Sequence, residues 1–121
     1  MYKVNNAQYN LLLSFDPCEI FEYFSVTKLH GLSLVECMEY NNTSEDAYIA
    51  GLCNVSPNTG KRFIFINLSR CTDDFHTMGL AMHETMHLGF SLLSEEEEII
   101  TFAEVEAYRI SGVITSIINK K

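Results

Sequence analysis

The segment His83-Glu84-Thr85-Met86-His87 constrains this chain more than any other stretch. Two imidazoles four residues apart fall on one face of a helix, where both can reach a single metal ion. The glutamate after the first histidine can serve as a general base in the same site. A fold that uses this motif must therefore set a helix there and bring further ligands to it from another element.

A final helix is the natural source of such a ligand. Ser94 as N-cap with Glu97 three residues on forms a capping box, and Glu95 to Glu98 suit the positive end of a helix dipole. The spacing predicts a helix running on to about Ile118. At about 100° per residue, Ile99, Phe102, Ala103, Ile110, Val113, Ile114 and Ile117 form its apolar stripe. Glu106 falls near the centre of that stripe, whereas Glu97, Glu98 and Glu104 fall at its edge or outside it. A carboxylate aimed into an apolar core costs several kcal/mol unless a cation or an ion pair compensates it. Glu106 is thus the expected third ligand, with Glu104 in reserve and an ion pair with Arg109 as the plain structural alternative. Two histidines and a glutamate suit Zn2+.

The rest of the chain reads as support. Asp16 caps a helix with Pro17 at its first position, extending to about Leu29 and burying Ile20, Phe21 and Phe24, with His30-Gly31 ending it. Tyr2 to Phe15 fits either a short strand or the start of a helix. Leu32 to Tyr40 alternates as a strand, and Asn41 to Asp46 is a polar loop. Ala47 to Val55 and Lys61 to Leu68 are two further strands, joined by the turn residues Ser56 to Gly60. Thr72, Asp73 or Asp74 caps a helix carrying Phe75 to about Leu92. Helix, three strands and two helices predict an α+β fold: a single domain over residues 1–121 with a three-stranded antiparallel sheet.

Composition closes off several function classes. With a net charge of −8, the chain lacks the basic footprint that nucleic-acid binding needs. The N-terminus lacks the build of a signal peptide, and no apolar run approaches the roughly 20 residues that cross a bilayer. A cytoplasmic location without membrane attachment is expected. Cys18, Cys37, Cys53 and Cys71 form no CxxC pair and read as buried thiols rather than a four-cysteine zinc site.

From residue 62 to 112 the chain resembles the zincin metallopeptidases of gluzincin type, and more narrowly the ImmA/IrrE-like family. The resemblance rests on Phe65-Ile66-Asn67 before the motif helix, on Ala81-Met82-His83-Glu84, and on Glu104-Val105-Glu106-Ala107, whose Glu106 stands nineteen positions after His87. The chain departs from that family in His-Glu-Thr-Met-His, where Leu-Gly is usual between the glutamate and the second histidine. It departs again at Tyr108, where the family has Asn. The resemblance implies a zincin-like fold and a zinc metallopeptidase that hydrolyses peptide bonds of a protein substrate. Zn2+ would be held by His83, His87 and Glu106, with Glu84 as general base. His76 and Tyr108 are candidates for a second electrophile, and His30 reads as a cation at a helix C-terminus. The substrate would lie along an exposed edge formed by Arg62 to Leu68. The wall is small, so the cleft is either shallow or completed by a partner or a second copy. The alternative reading is a catalytically inactive zinc-binding interaction module on the same scaffold; a third is hydrolysis of a non-peptide amide.

Overall fold

The computed structural model describes residues 1–43 and 49–119, with residues 40–43 described by backbone alone. The chain forms two compact units, Met1–Ser69 and Arg70–Lys121, within an α+β architecture.

The first unit is built on a four-stranded sheet of β1 (Tyr2–Asn5), β2 (Asn10–Ser14), β5 (Gly51–Val55) and β6 (Arg62–Asn67), in the order β1-β2-β6-β5. β2 and β6 run parallel, from Asn10 beside Phe63 to Ser14 beside Asn67, and the other two pairings are antiparallel. The sheet is therefore mixed and four-stranded, not the three-stranded antiparallel sheet that the sequence suggests. Tyr2 to Phe15 supplies two of its strands. Their side chains explain the central position of β2 and β6: Leu11, Leu12 and Leu13, and Phe63, Ile64, Phe65 and Ile66, are buried on both faces. Such continuous apolar runs mark strands shielded on both sides. β6 is thus interior, and the edges belong to β1 and β5, which corrects the reading of Arg62 to Leu68 as an exposed edge.

Between β2 and β5 the chain departs further from expectation. The first helix, α1, covers only Glu19–Phe24 and ends where Ser25 turns left-handed (φ 57°), its N–H reaching the carbonyls of Glu22 and Phe21. Ile20, Phe21 and Phe24 are buried as the amphipathic spacing requires. His30 and Gly31 do not end a helix. Both have positive φ (46° and 86°) and form the two-residue turn of a small hairpin, β3 (Lys28–Leu29) with β4 (Leu32–Ser33). Positive φ at both central residues is the signature of the hairpin turn whose twist matches its strands. The His30 ring bonds the Val55 carbonyl at 2.7 Å, so it ties the hairpin to β5 and does not serve as a helix-end cation.

The expected strand Leu32 to Tyr40 is for the most part a helix, α2 (Leu34–Thr43), with Cys37 facing the core. The loop expected at Asn41 to Asp46 begins inside that helix; its remainder, and the first two residues of the expected second strand, lie outside the described residues. The hairpin loop from Ser56 to Lys61 forms as expected, with the Ser56 hydroxyl accepting from the N–H groups of Asn58 and Thr59, and Gly60 at φ 74°. Leu12, Phe21, Phe24, Cys37, Phe63 and Phe65 meet in the core of this unit.

The second unit is a helical hairpin of α3 (Asp74–Leu92) and α4 (Glu96–Asn119). Asp73 caps α3 through the His76 N–H at 2.8 Å. α4 starts at Glu96, one residue later than a Ser94 cap would place it, with the Glu95 carbonyl accepting from Ile99. A connection of three residues forces the helices antiparallel. The Thr85 hydroxyl reaches the Ala103 carbonyl at 3.2 Å, and a Cβ on Gly89 would stand 3.1 Å from a methyl of Ile99. Ala81, Thr85, Gly89, Ala103 and Ala107 are all buried, so small residues line the close approach. Among the described residues no helix is long and apolar enough to cross a membrane.

Two of the helical glycines, Gly89 and Gly112, should respond in opposite ways to substitution. Gly89→Leu, which drives a side chain into Ile99 and Phe102, is expected to cost about 1–3 kcal/mol in urea denaturation. Gly112→Ala, where the added Cβ meets nothing within 4 Å, should instead stabilise by up to about 1 kcal/mol.

Candidate metal centre

Helical spacing delivers the histidine pair as the motif requires. His83 and His87 stand one turn apart on α3, their rings at 82° to one another with centroids 4.7 Å apart. Their Nε2 atoms are 3.2 Å apart. Two ligands of one tetrahedral zinc, each about 2.0–2.1 Å from it, are separated by roughly 3.3–3.4 Å. The pair therefore has the spacing of a chelate edge, and the donor chemistry fits a borderline-soft divalent ion. Without an ion the same contact is satisfied by one ring donating its N–H to the other.

Glu84 differs sharply from its neighbour in sequence. His83 and His87 are exposed, whereas Glu84 is only 4% exposed. A step of about 100° around the helix accounts for the change. It moves the carboxylate from the open face to the one carrying Ala81, Thr85 and Leu88. Burial penalises the charged form and pushes the Glu84 pKa from the usual 4.5 to about 7. A carboxyl poised near neutrality can hold and release a proton at working pH, as a general base and acid must.

Glu106 is buried with Ile99, Ala103, Ala107, Ile110 and Ile114 along α4, as its place in the apolar stripe requires, while Glu104 is exposed. Its Oε1 lies 3.4 Å from Nη1 of Arg109, a long ion pair whose arginine is mostly exposed. Continuing the register set by Thr85 with Ala103 and Gly89 with Ile99 puts Glu106 at the height of Met82, one residue from His83. Among the described residues, no group of three or more His, Cys, Asp and Glu side chains stands close enough together to hold a metal ion. The structure brings the two histidines together and leaves Glu106 on the inner side of the hairpin.

The candidates for a second electrophile are placed apart from the pair. His76 sits in the first turn of α3, its Nδ1 2.9 Å from the Asp73 carboxylate, about two turns from His83. The His76 N–H and ring together hold the Asp73 carboxyl below its usual range. Tyr108 is exposed on α4. Two features of the surroundings escape sequence reading. Thr85 donates to the Ala81 carbonyl at 2.8 Å and also borders Ala103, so the motif's own middle residue fixes the helix pair. The exposed side of α3 also carries an open groove of about 450 Å³ lined by Gly79, Met82, His83, Met86, His87 and Phe90. The four-residue spacing of Met82, Met86 and Phe90 is the signal that could have revealed it.

Comparison of this chain with protein-family models, with curated proteins and with solved structures finds no match.

Proposed function

We propose that this chain is a zinc-dependent metallopeptidase that hydrolyses peptide bonds of a protein substrate. The observation that carries the reading is the pair of Nε2 atoms 3.2 Å apart on one face of α3, with the buried Glu84 following His83 in sequence. His83 and His87 would hold the ion. Glu106 is the proposed third ligand, because it is buried in the apolar stripe of α4 at the height of the pair. When bound, Zn2+ supplies Lewis-acid chemistry: it acidifies water and polarises a carbonyl.

Glu84 then accepts the proton of the attacking water and hands it to the leaving amine, so that it ends the cycle as it began. Its apolar surroundings serve this exchange by keeping both protonation states accessible near neutral pH. The groove of Met82, Met86 and Phe90 offers an apolar wall beside the histidines, suited to a substrate side chain next to the scissile bond. Exposure of the histidine pair favours one other reading, a zinc-binding interaction module that docks a partner on this face without cleaving it.

Purified protein should bind one zinc ion per chain, and His83→Ala or His87→Ala should abolish that binding in a metal titration. Glu106→Ala should weaken it at least tenfold while Glu104→Ala leaves it unchanged; the reverse order would transfer the ligand role to Glu104. Glu84→Gln should keep the metal and lower cleavage of a peptide library by about 10²–10⁴-fold. Full zinc loading with no Glu84-dependent cleavage would leave the interaction module as the surviving reading.

The metal-free protein should also report Glu84 through its stability. The native pKa of about 7 lies above the unfolded value of 4.5, so between these limits only the unfolded chain has lost the proton. Stability from this group is complete below pH 4.5 and falls as pH rises through 7, by roughly 3 kcal/mol in all. Chemical denaturation of the metal-free protein at pH 4.5 and 8 should show the fall, and Glu84→Gln should remove that part of it.

A further inference from the structure

Cys18 and Cys37 lie nineteen positions apart in sequence, yet their sulfurs are 3.1 Å apart. Cys18 stands in the turn before α1, held there by its N–H to the Asp16 carboxylate at 3.0 Å, and Cys37 lies on the second turn of α2. Cys37 is fully buried among Ile20, Phe21, Phe24 and Leu29, with Cys18 packed partly buried against that cluster. Cys18 also lines an open cavity of about 460 Å³ together with Asp16, Glu19, Phe21, Ser25 and Leu34. One sulfur of the pair therefore borders a space that admits a small molecule, and the other stands behind it.

A sulfur–sulfur bond is about 2.05 Å long, so the two atoms are roughly 1 Å from bonding distance. Elements that already share one core need little movement to close that gap. Burial and the adjoining Cys37 push the Cys18 thiol up to about 12, and burial raises Cys37 as well, so the resting pair is a dithiol. The Cys18 S–H donates to the Cys37 sulfur, which fixes the pair in contact.

We propose that Cys18 and Cys37 form a reversible intramolecular disulfide, made by exchange with a low-molecular-weight disulfide that enters by the cavity at Cys18. Cys18, as its thiolate, attacks one sulfur of the small disulfide; the S–S bond of that molecule breaks and its first thiol leaves. Cys37 then attacks the Cys18 sulfur, the mixed disulfide breaks, and the second small thiol leaves. The protein loses two hydrogens and the small disulfide is reduced to two thiols, so atoms and electrons balance. The product joins the start of α1 to α2 across their shared core. Because both thiols are held protonated, the exchange is slow at neutral pH, and the bond follows a sustained change in thiol–disulfide balance rather than a brief one.

The test uses the full chain, equilibrated without air in glutathione buffers of rising oxidised-to-reduced ratio, acid-quenched, alkylated and weighed. The expected result is a loss of two mass units with a Cys18–Cys37 linked peptide after proteolysis, reversed by dithiothreitol. The C53S/C71S double variant should retain the linkage, and C18S and C37S should each lose it. The oxidised protein should melt about 5–10 °C higher, as expected for a cross-link closing a loop of this length. Full alkylation of both thiols at the most oxidising ratio, or glutathione bound to Cys18 without any linked peptide, overturns the proposal. None of these readouts depends on zinc or on Glu84, so they stand apart from the proposed peptidase activity.

Discussion

The close approach of α3 and α4 governs everything that the candidate centre can do. With Gly89 against Ile99 and Thr85 against the Ala103 carbonyl, the helices meet along a line of small residues. That contact fixes the rotation of both helices. On α3 it turns Glu84 inward and leaves His83 and His87 outward; on α4 it turns Glu106 inward and Glu104 outward. The electrostatics follow from this rotation, since the raised pKa of Glu84 comes from desolvation. A carboxylate in such a place is held at a cost, and a bound cation is one arrangement that offsets it.

In the first unit the corresponding constraint is the pairing of β2 with β6. Both strands are apolar on successive residues, which commits them to the interior. Asn67 closes β6 from 0% exposure: its side-chain N–H donates to the Ile49 carbonyl at 2.9 Å, and its side-chain oxygen accepts from the Ser69 N–H and hydroxyl. A buried amide with its bonds made ends the strand at a defined residue.

Much of the second unit was legible in the sequence. The 3.6-residue period, the Asp73 cap and the acidic first turn of α4 each act through local chemistry, so spacing alone locates both helices and the buried position of Glu106. The first unit was less legible for a physical reason. Leu34 to Thr43 contains residues that fit alternation and helical spacing equally, and over ten residues the two periods do not separate. Parallel pairing of β2 with β6 leaves no local trace, and it sends the expected edge strand to the middle of the sheet. His30-Gly31 suits a helix end and a two-residue hairpin alike, because both call for positive φ. At the centre, the His83–His87 distance follows from helix geometry. The height of Glu106 depends instead on packing at Gly89, which spacing does not encode.

The parallel pairing also sets the order in which the chain can assemble. Asn10 finds Phe63 only after the intervening 52 residues have been drawn into a closed loop, and the entropy of that closure is lost before the sheet returns any of it. The helical hairpin has no such delay, because Thr85 and Ala103 are separated by a three-residue connection and two short helical stretches. The segment carrying the histidines can thus gain its shape from neighbours in sequence while the sheet still waits on its longest connection. Slow refolding, where it occurs, belongs to β2 and β6.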